Sequence, residues 1–288
     1  MTVNAATPGA AAGAAPVVLR ELKDGVLLVK FNRPERLNAS TPEMVRLYTE
    51  IMLAAADDPE VRAIVVTGEG RGFCAGVDTA YLATISEGGK ARAKKLRRHW
   101  FPTEIPKPII AAINGPCVGL GFVMAMMCDM RFAGESANVG PGFAKLGLPA
   151  ENGTAWILPR VVGHARAFEI LASGRMYAGN ELARTGMVNA VVPDAELMPH
   201  TMAFAGSLAR ECSPRSLAAM KTQLFCGYYT DLREADRLSD VMAGFNLKAD
   251  DIKEAMRARK EKRAPVFQPL SSRRKDWWPA GEKVAGEF

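Results

Sequence analysis

The stretch KPIIAAINGPCVGLGF (residues 107–122) decides the fold. Its first half, PIIAAI, is apolar without alternation, the pattern of a strand covered on both faces. The strand breaks at Gly115, and a second glycine turn, Gly119-Leu120-Gly121, leads into FVMAMMCDM. That run is apolar on all sides and reads as a buried helix. The N–H groups at such a helix start have no intrahelical acceptor and lie at the positive end of the dipole. The turn reads differently from a dinucleotide loop, because Gly119-Leu120-Gly121 continues with Phe122, Val123 and Met124. No Walker A loop and no GxSxG elbow occurs in the chain, which argues against a nucleotide-phosphate cradle and a serine hydrolase.

A second stretch has the same shape. RGFCAGVD (71–78) follows the strand-like VRAIVVTGEG (61–70) and is built from glycine and small residues. Either loop alone is what any tight strand-to-helix turn looks like. Two such loops converging would aim two N–H donors at one oxygen, the layout of an oxyanion hole for an enolate or a tetrahedral adduct.

Outward from these loops, strand and helix patterns alternate over residues 60–195, which implies parallel βαβ units and an α/β fold. Upstream, VVLRELKDGVLLVKFNR (17–33) holds two β-rich runs around Asp24-Gly25, a hairpin signal. Ser40 or Thr41 caps the helix that follows, with Pro42 in its first turn and Glu43 beside the dipole. Downstream, Gly174 and Gly186 close two further helices. From Asp194 the pattern is helical almost to Arg263. The expected organisation is a disordered leader (1–16), an α/β core (17–195), a helical region (196–270) and a loosely ordered polar tail (271–288) that holds Trp277 and Trp278.

Composition narrows the function. Of 288 residues, 48% are hydrophobic and 24% charged, ordinary for a globular protein. No apolar run reaches the ~18 residues of a membrane span. The leader lacks the basic residues of a signal or transit peptide, and the five scattered cysteines read as free thiols of a reducing, cytoplasmic protein. His99, His164 and His200 form no readable metal cluster. Much of the net charge of +6 lies in ARAKKLRR (91–98), RARKEKR (257–263) and SSRRK (271–275). These runs are separated and lack interleaved aromatics, which disfavours nucleic acid as a partner. Each reads first as a solvated face, and next as a contact for a phosphate-bearing small ligand.

The chain resembles the crotonase (enoyl-CoA hydratase/isomerase) superfamily. The resemblance is carried, in order, by NRPERLNA (32–39), GRGFCAGVD (70–78), KPIIAAINGPCVGLGF (107–122), MMCDMRFAGESANVG (126–140), LGLPAENGTAWILPRVVG (146–163), GMVNAVVP (186–193) and EKRAPVF (261–267). It implies a crotonase-like ββα spiral core with C-terminal helices that pack a homotrimer or a hexamer (a dimer of trimers). It implies an acyl-CoA thioester substrate and no cofactor, coenzyme A being part of the substrate. By position, the oxyanion donors match the backbone N–H groups of Val77 and Leu120, the latter standing where many relatives have glycine. Arg36, Ala75, Gly76, Asp78 and Gly119 match positions near coenzyme A, and the segment from Lys260 to Arg263 matches one that reaches its phosphates.

One departure matters. Hydratases of this family add water with two glutamates; the matching positions here are Val123 and Gly142. Dienoyl-CoA isomerases and a chlorobenzoyl-CoA dehalogenase instead place a carboxylate where this chain has Glu151. A single carboxylate suffices to move a proton between two carbons, and an apolar wall from Trp156 or Phe143 would make it a better base. Glu151 also lies just before a helix start, where it could serve only as a cap or dipole partner. Of the remaining polar residues, His99 could assist proton transfer, Glu104 reads as solvated, Asp129 as structural, Asp78 as a hold on the backbone of its loop, and Tyr228 and Tyr229 as packing. The resulting expectation is isomerase-like or other enolate chemistry with Glu151 as general acid/base. The rivals are a C–C bond or thioester hydrolase on the same scaffold, and a non-catalytic member that binds CoA or RNA.

Overall fold

The computed structural model describes residues 15–86 and 98–283. The basic run at 91–97, nearly all of the leader and the last five residues lie outside them. Strands β1 (Val18–Lys23) and β2 (Val26–Phe31) form the expected hairpin. Asp24 and Gly25 both take positive φ, 49° and 79°, the two-residue turn whose twist matches the flanking strands. Helix α1 (Pro42–Asp57) follows, and its cap is Thr41, whose side chain accepts from the Met44 N–H at 3.2 Å. Ser40 has a different partner, described below.

Strands β3 (Ala63–Gly68), β4 (Ile109–Ile113), β6 (Met130–Gly134) and β9 (Ala190–Val192) continue the sheet in parallel, giving the order β1-β2-β3-β4-β6-β9. Every residue of β3 and β4 is buried. Side chains alternate across the sheet with period two. Ala63, Val65, Ile110 and Ala112 pack under helix α7 (Asp194–Glu211) with Leu197, Ala205 and Ala209. Ile64, Val66, Ile109, Ala111 and Ile113 face the main core with α1 and helix α3 (Leu120–Met126).

The sequence reading made 107–121 one strand broken at Gly115. The structure makes it two. Residues past the break form β5 (Pro116–Val118), which joins a separate sheet with β7 (Asn138–Gly140) and β8 (Tyr177–Ala178) in the order β5-β7-β8. A three-residue strand that opens on proline carries no periodicity to read.

Helices α2 (Thr79–Ser86), α4 (Thr154–Val162), α5 (His164–Ser173) and α6 (Gly179–Thr185) fill the connections. Gly174 and Gly186 end α5 and α6 in the left-handed region. Helices α8 (Pro214–Cys226), α9 (Leu232–Asn246) and α10 (Asp250–Glu261) complete the chain. Lys221 on α8 is buried and donates to the Pro102 and Lys107 carbonyls and to Asp129 Oδ2, at 2.9, 3.2 and 2.8 Å. It ties the C-terminal helices to the segments that lead into β4 and β6.

The tail departs from expectation. Trp277 and Trp278 are 7% and 1% exposed and pack with Leu238, Met242 and Ala218 of α8 and α9. Trp278 Nε1 donates to the Glu282 carbonyl at 3.0 Å. Two indoles bury enough apolar surface to dock a segment whose charged composition suggested looseness. No described helix is long and apolar enough to cross a membrane.

Candidate active site

The two glycine-rich loops meet. The Cys74 N–H donates to the Pro116 carbonyl and the Val118 N–H to the Cys74 carbonyl, both at 3.0 Å. These bonds make Cys74 and Cys117 parallel bridge partners. Advancing that register by two residues sets Gly76 beside Gly119, each followed by the next residue of its loop, Val77 and Leu120. The approach is close: a Cβ added to Gly119 would lie 3.8 Å from Gly76 Cα, and one added to Gly76 would lie 3.2 Å from the Val118 oxygen. Gly121 is tighter still, since its Cβ would sit 2.1 Å from the Cys74 carbonyl oxygen. Only glycine lets the first turn of α3 press against the other loop.

On its far side the 71–78 loop is held by Ser40. The Ser40 N–H donates to the Gly76 carbonyl at 2.7 Å and the Asp78 N–H to the Ser40 carbonyl at 3.0 Å. In a parallel bridge of this kind the residue between, Val77, turns its own N–H away from Ser40, toward the α3 side. Among the described residues, neither the Val77 nor the Leu120 N–H donates to a protein acceptor. Two adjacent free donors, one at a helix N-terminus, can hold one partly negative oxygen.

Glu151 lies in the turn before α4, where Asn152 and Gly153 have φ of 53° and 85°. The helix cap is Gly153, with no side-chain bond. The Glu151 carbonyl accepts from the Thr154 N–H and Oγ1 at 2.9 and 2.7 Å. Its carboxylate is therefore not the cap; it is exposed. The turn rests on α3, because a Cβ at Gly153 would lie 3.3 Å from Met127 Cε. Leu120 thus starts α3, and the Glu151 turn packs just past its other end. Phe143 and Trp156, the expected apolar wall of Glu151, both have other neighbours in the structure. Phe143 is buried in the core, and Trp156 is occupied by Arg160, 4.1 Å from the indole centroid, and by Tyr229 stacked at 5.7 Å.

The chemistry is confined to few groups. Burial pushes the Cys74 thiol up to about 11 and the Cys128 thiol up to about 12, so neither is a ready nucleophile. No group of three or more metal-ligating side chains exists among the described residues.

A family model described as enoyl-CoA hydratase/isomerase matches residues 21–269. The chain belongs to the enoyl-CoA hydratase/isomerase family. It is 34% identical over 253 residues to a putative enoyl-CoA hydratase of Thermus thermophilus, covering 85% of this chain and 98% of that one. It is also 34% identical over 256 residues to an (E)-benzylidenesuccinyl-CoA hydratase of Thauera aromatica, covering 88% and 99%. Among solved structures, a probable enoyl-CoA hydratase/isomerase from Mycobacterium abscessus superposes with a TM-score of 0.82 at 26% identity, covering 88% of this chain and 99% of that one.

In this member of the enoyl-CoA hydratase/isomerase family, the two positions that the resemblance sets against hydratase glutamates are Val123 and Gly142. Val123 is fully buried on α3. Gly142 has φ of 65°, and a Cβ there would touch Val118 Cγ1 at 3.4 Å. The Pro141-Gly142 corner thus lies against the Gly119 turn but offers no proton donor.

The other positions divide by what they bond. Arg36 and Lys260 are exposed. Ala75 is fixed by its N–H to the Leu37 carbonyl at 3.0 Å. Asp78 pairs with Arg33 at 3.0 Å, and that hydrogen bond holds its carboxyl below the usual carboxylate range. Arg263 is engaged by Glu254 and Glu261 at 2.5 and 2.7 Å. Asp129 accepts from the Ile109 N–H and from Lys221, both at 2.8 Å. His99 is half-buried and Glu104 exposed. Sequence reasoning assigned no role to Arg33, Asn38 or Asn114. Asn38 is buried and bonds the Glu69 and Gly72 carbonyls at 2.9 and 2.7 Å. Asn114 bonds the Gly68 and Gly70 carbonyls, both at 2.8 Å. Both amides brace the loop that carries Val77, and their placement inside quoted motifs was the available signal.

Proposed function

We propose that this chain stabilises the enolate of an acyl-CoA thioester between the Val77 and Leu120 N–H groups, with Glu151 moving the proton. The observation that carries the reading is the register that sets Gly76 against Gly119 and leaves two neighbouring donors free. Donors fixed in the backbone need no reorganisation as charge develops on the thioester oxygen, and removing one such donor from an enzyme costs roughly 10²- to 10³-fold in rate. The developing enolate gains charge at that oxygen, so the donors favour it over the ground state. Glu151, with its carboxylate unpaired among the described residues, takes a proton from carbon and returns it elsewhere along the acyl group. Isomerisation or related enolate chemistry fits a single carboxylate, with neutral Val123 and Gly142 in place of the hydratase pair. The exposure of Glu151 favours a second reading, in which the same carboxylate activates water for hydration or for C–C bond or thioester hydrolysis.

Arg36, Lys260, Ala75, Gly76 and Gly119 form the proposed coenzyme A contacts, and no further cofactor is invoked. Met220, Leu224, Leu232, Met256 and Val266 expose apolar surface along α8–α10 and just beyond. That surface supports a homotrimer, or a dimer of trimers, as the working form.

The test is deuterium uptake at the α- and γ-carbons of a panel of acyl-CoA thioesters, wild type beside Glu151→Gln. Exchange that disappears in the variant is the expected result. Equal exchange in both would remove Glu151 from the mechanism. Products bearing a new hydroxyl or a released acid would select the second reading.

A further inference from the structure

Two hydrogen bonds to Ser40 are a slender hold on the donor that the proposed chemistry depends on. A single guanidinium reinforces them. Arg33 Nη1 donates to the Ala39 carbonyl and to Asp78 Oδ2. Ala39 precedes Ser40 and Asp78 follows Val77, so one group grips both sides of the bridge that orients the Val77 N–H. Neither end is loose. The Arg33 N–H donates to Asn38 Oδ1 at 2.7 Å, while Asp78 Oδ1 accepts from the Ala80 N–H at 3.0 Å. The two side chains are only 18% and 15% exposed, so water screens the pair less than a typical surface ion pair. A charge-assisted bond of this kind is short and directional.

We propose that Arg33 and Asp78 are positioning residues: together they clasp the 75–78 loop so that the Val77 N–H meets the thioester oxygen beside the Leu120 N–H. The proposal rests on the enolate-stabilising reading above. It also gives Asp78 a task other than touching coenzyme A. A clasp acts on the transition state, whereas a ligand contact acts on substrate affinity, so the two roles separate in kinetics.

The experiment measures deuterium exchange of the substrate as kcat and KM, with backbone amide exchange over residues 75–78, in wild type, Arg33→Met, Arg33→Lys and Asp78→Asn. A misplaced donor lowers kcat on the order of 10- to 100-fold in Arg33→Met and Asp78→Asn. KM stays within about threefold, the expectation when only a transition-state interaction is lost. The amides of 75–78 exchange faster while those of β4 stay protected. Arg33→Lys, which keeps the charge but loses the fork, falls between. A raised KM with unchanged kcat overturns the proposal and makes the pair a ligand contact. Unchanged kcat in all three variants also overturns it. If wild type exchanges no acyl-CoA proton, the enolate reading fails by itself. The clasp is then judged by amide exchange alone: it falls if 75–78 stays protected in Arg33→Met and stands if protection is lost.

Discussion

The junction at Gly76 and Gly119 and the turn at Glu151 are built on opposite plans. At the junction the proposed donors belong to the backbone, and the neighbouring side chains are reduced to glycine so that two loops can touch. At the turn the proposed acid/base ends a long, exposed side chain whose carboxylate has no partner among the described residues. The first plan tolerates many side chains but almost no backbone displacement. The second tolerates displacement, and its chemistry ends with one atom changed. A leucine at position 120 still offers a backbone N–H, whereas Val123 and Gly142 offer no carboxylate.

The sharpest break in this comparison is Glu151→Gln. General acid–base catalysis contributes roughly 10²- to 10⁴-fold, and the variant should lose about that much exchange while its melting temperature stays unchanged, as scanning calorimetry would show. Gly121→Ala should do the reverse. Its Cβ would fall 2.1 Å from a backbone oxygen that no side-chain rotation can move. Overpacking costs about 3 kcal/mol, read as a lower urea midpoint, and exchange should fall only as the loops are pushed apart. Thr154→Val removes one of two bonds to the Glu151 carbonyl. It should cost about 1 kcal/mol in urea unfolding, with a severalfold loss of exchange.

The smallest effect is a pH dependence at the junction. Arg33 holds the Asp78 carboxyl below its usual range. A depressed folded-state pKa contributes stability above the unfolded value, near 4, and loses it as pH falls through the folded value. Wild type should therefore exceed Asp78→Asn in urea midpoint at pH 6, and the gap should shrink as pH falls below about 4. A gap that persists in acid would locate the stabilisation elsewhere.

Local signals carried much of the fold into the sequence. Asp24-Gly25 announced its hairpin, and the unbroken apolar run of β4 announced a strand covered on both faces. The converging loops were legible because glycine and small residues mark where backbone must approach backbone. What stayed hidden depended on distance. Nothing near Arg33 indicates that it reaches Asp78, and nothing in SSRRKDWW (271–278) says that both tryptophans find a cavity between α8 and α9. The cap of α4 was ambiguous for another reason. Glu151 stands close enough to the helix to cap it, and only the start of α4 at Thr154, with Gly153 as its cap, rules that out.

The bridge between Cys74 and Cys117 has a consequence for refolding. Its two halves lie about forty residues apart, and closing such a loop is an entropic toll that local helices never face. Helical signal can return in a refolding chain while the two donors are still far from one another. Recovered turnover should therefore lag behind circular dichroism, which makes activity the stricter witness that this protein has reached its native state.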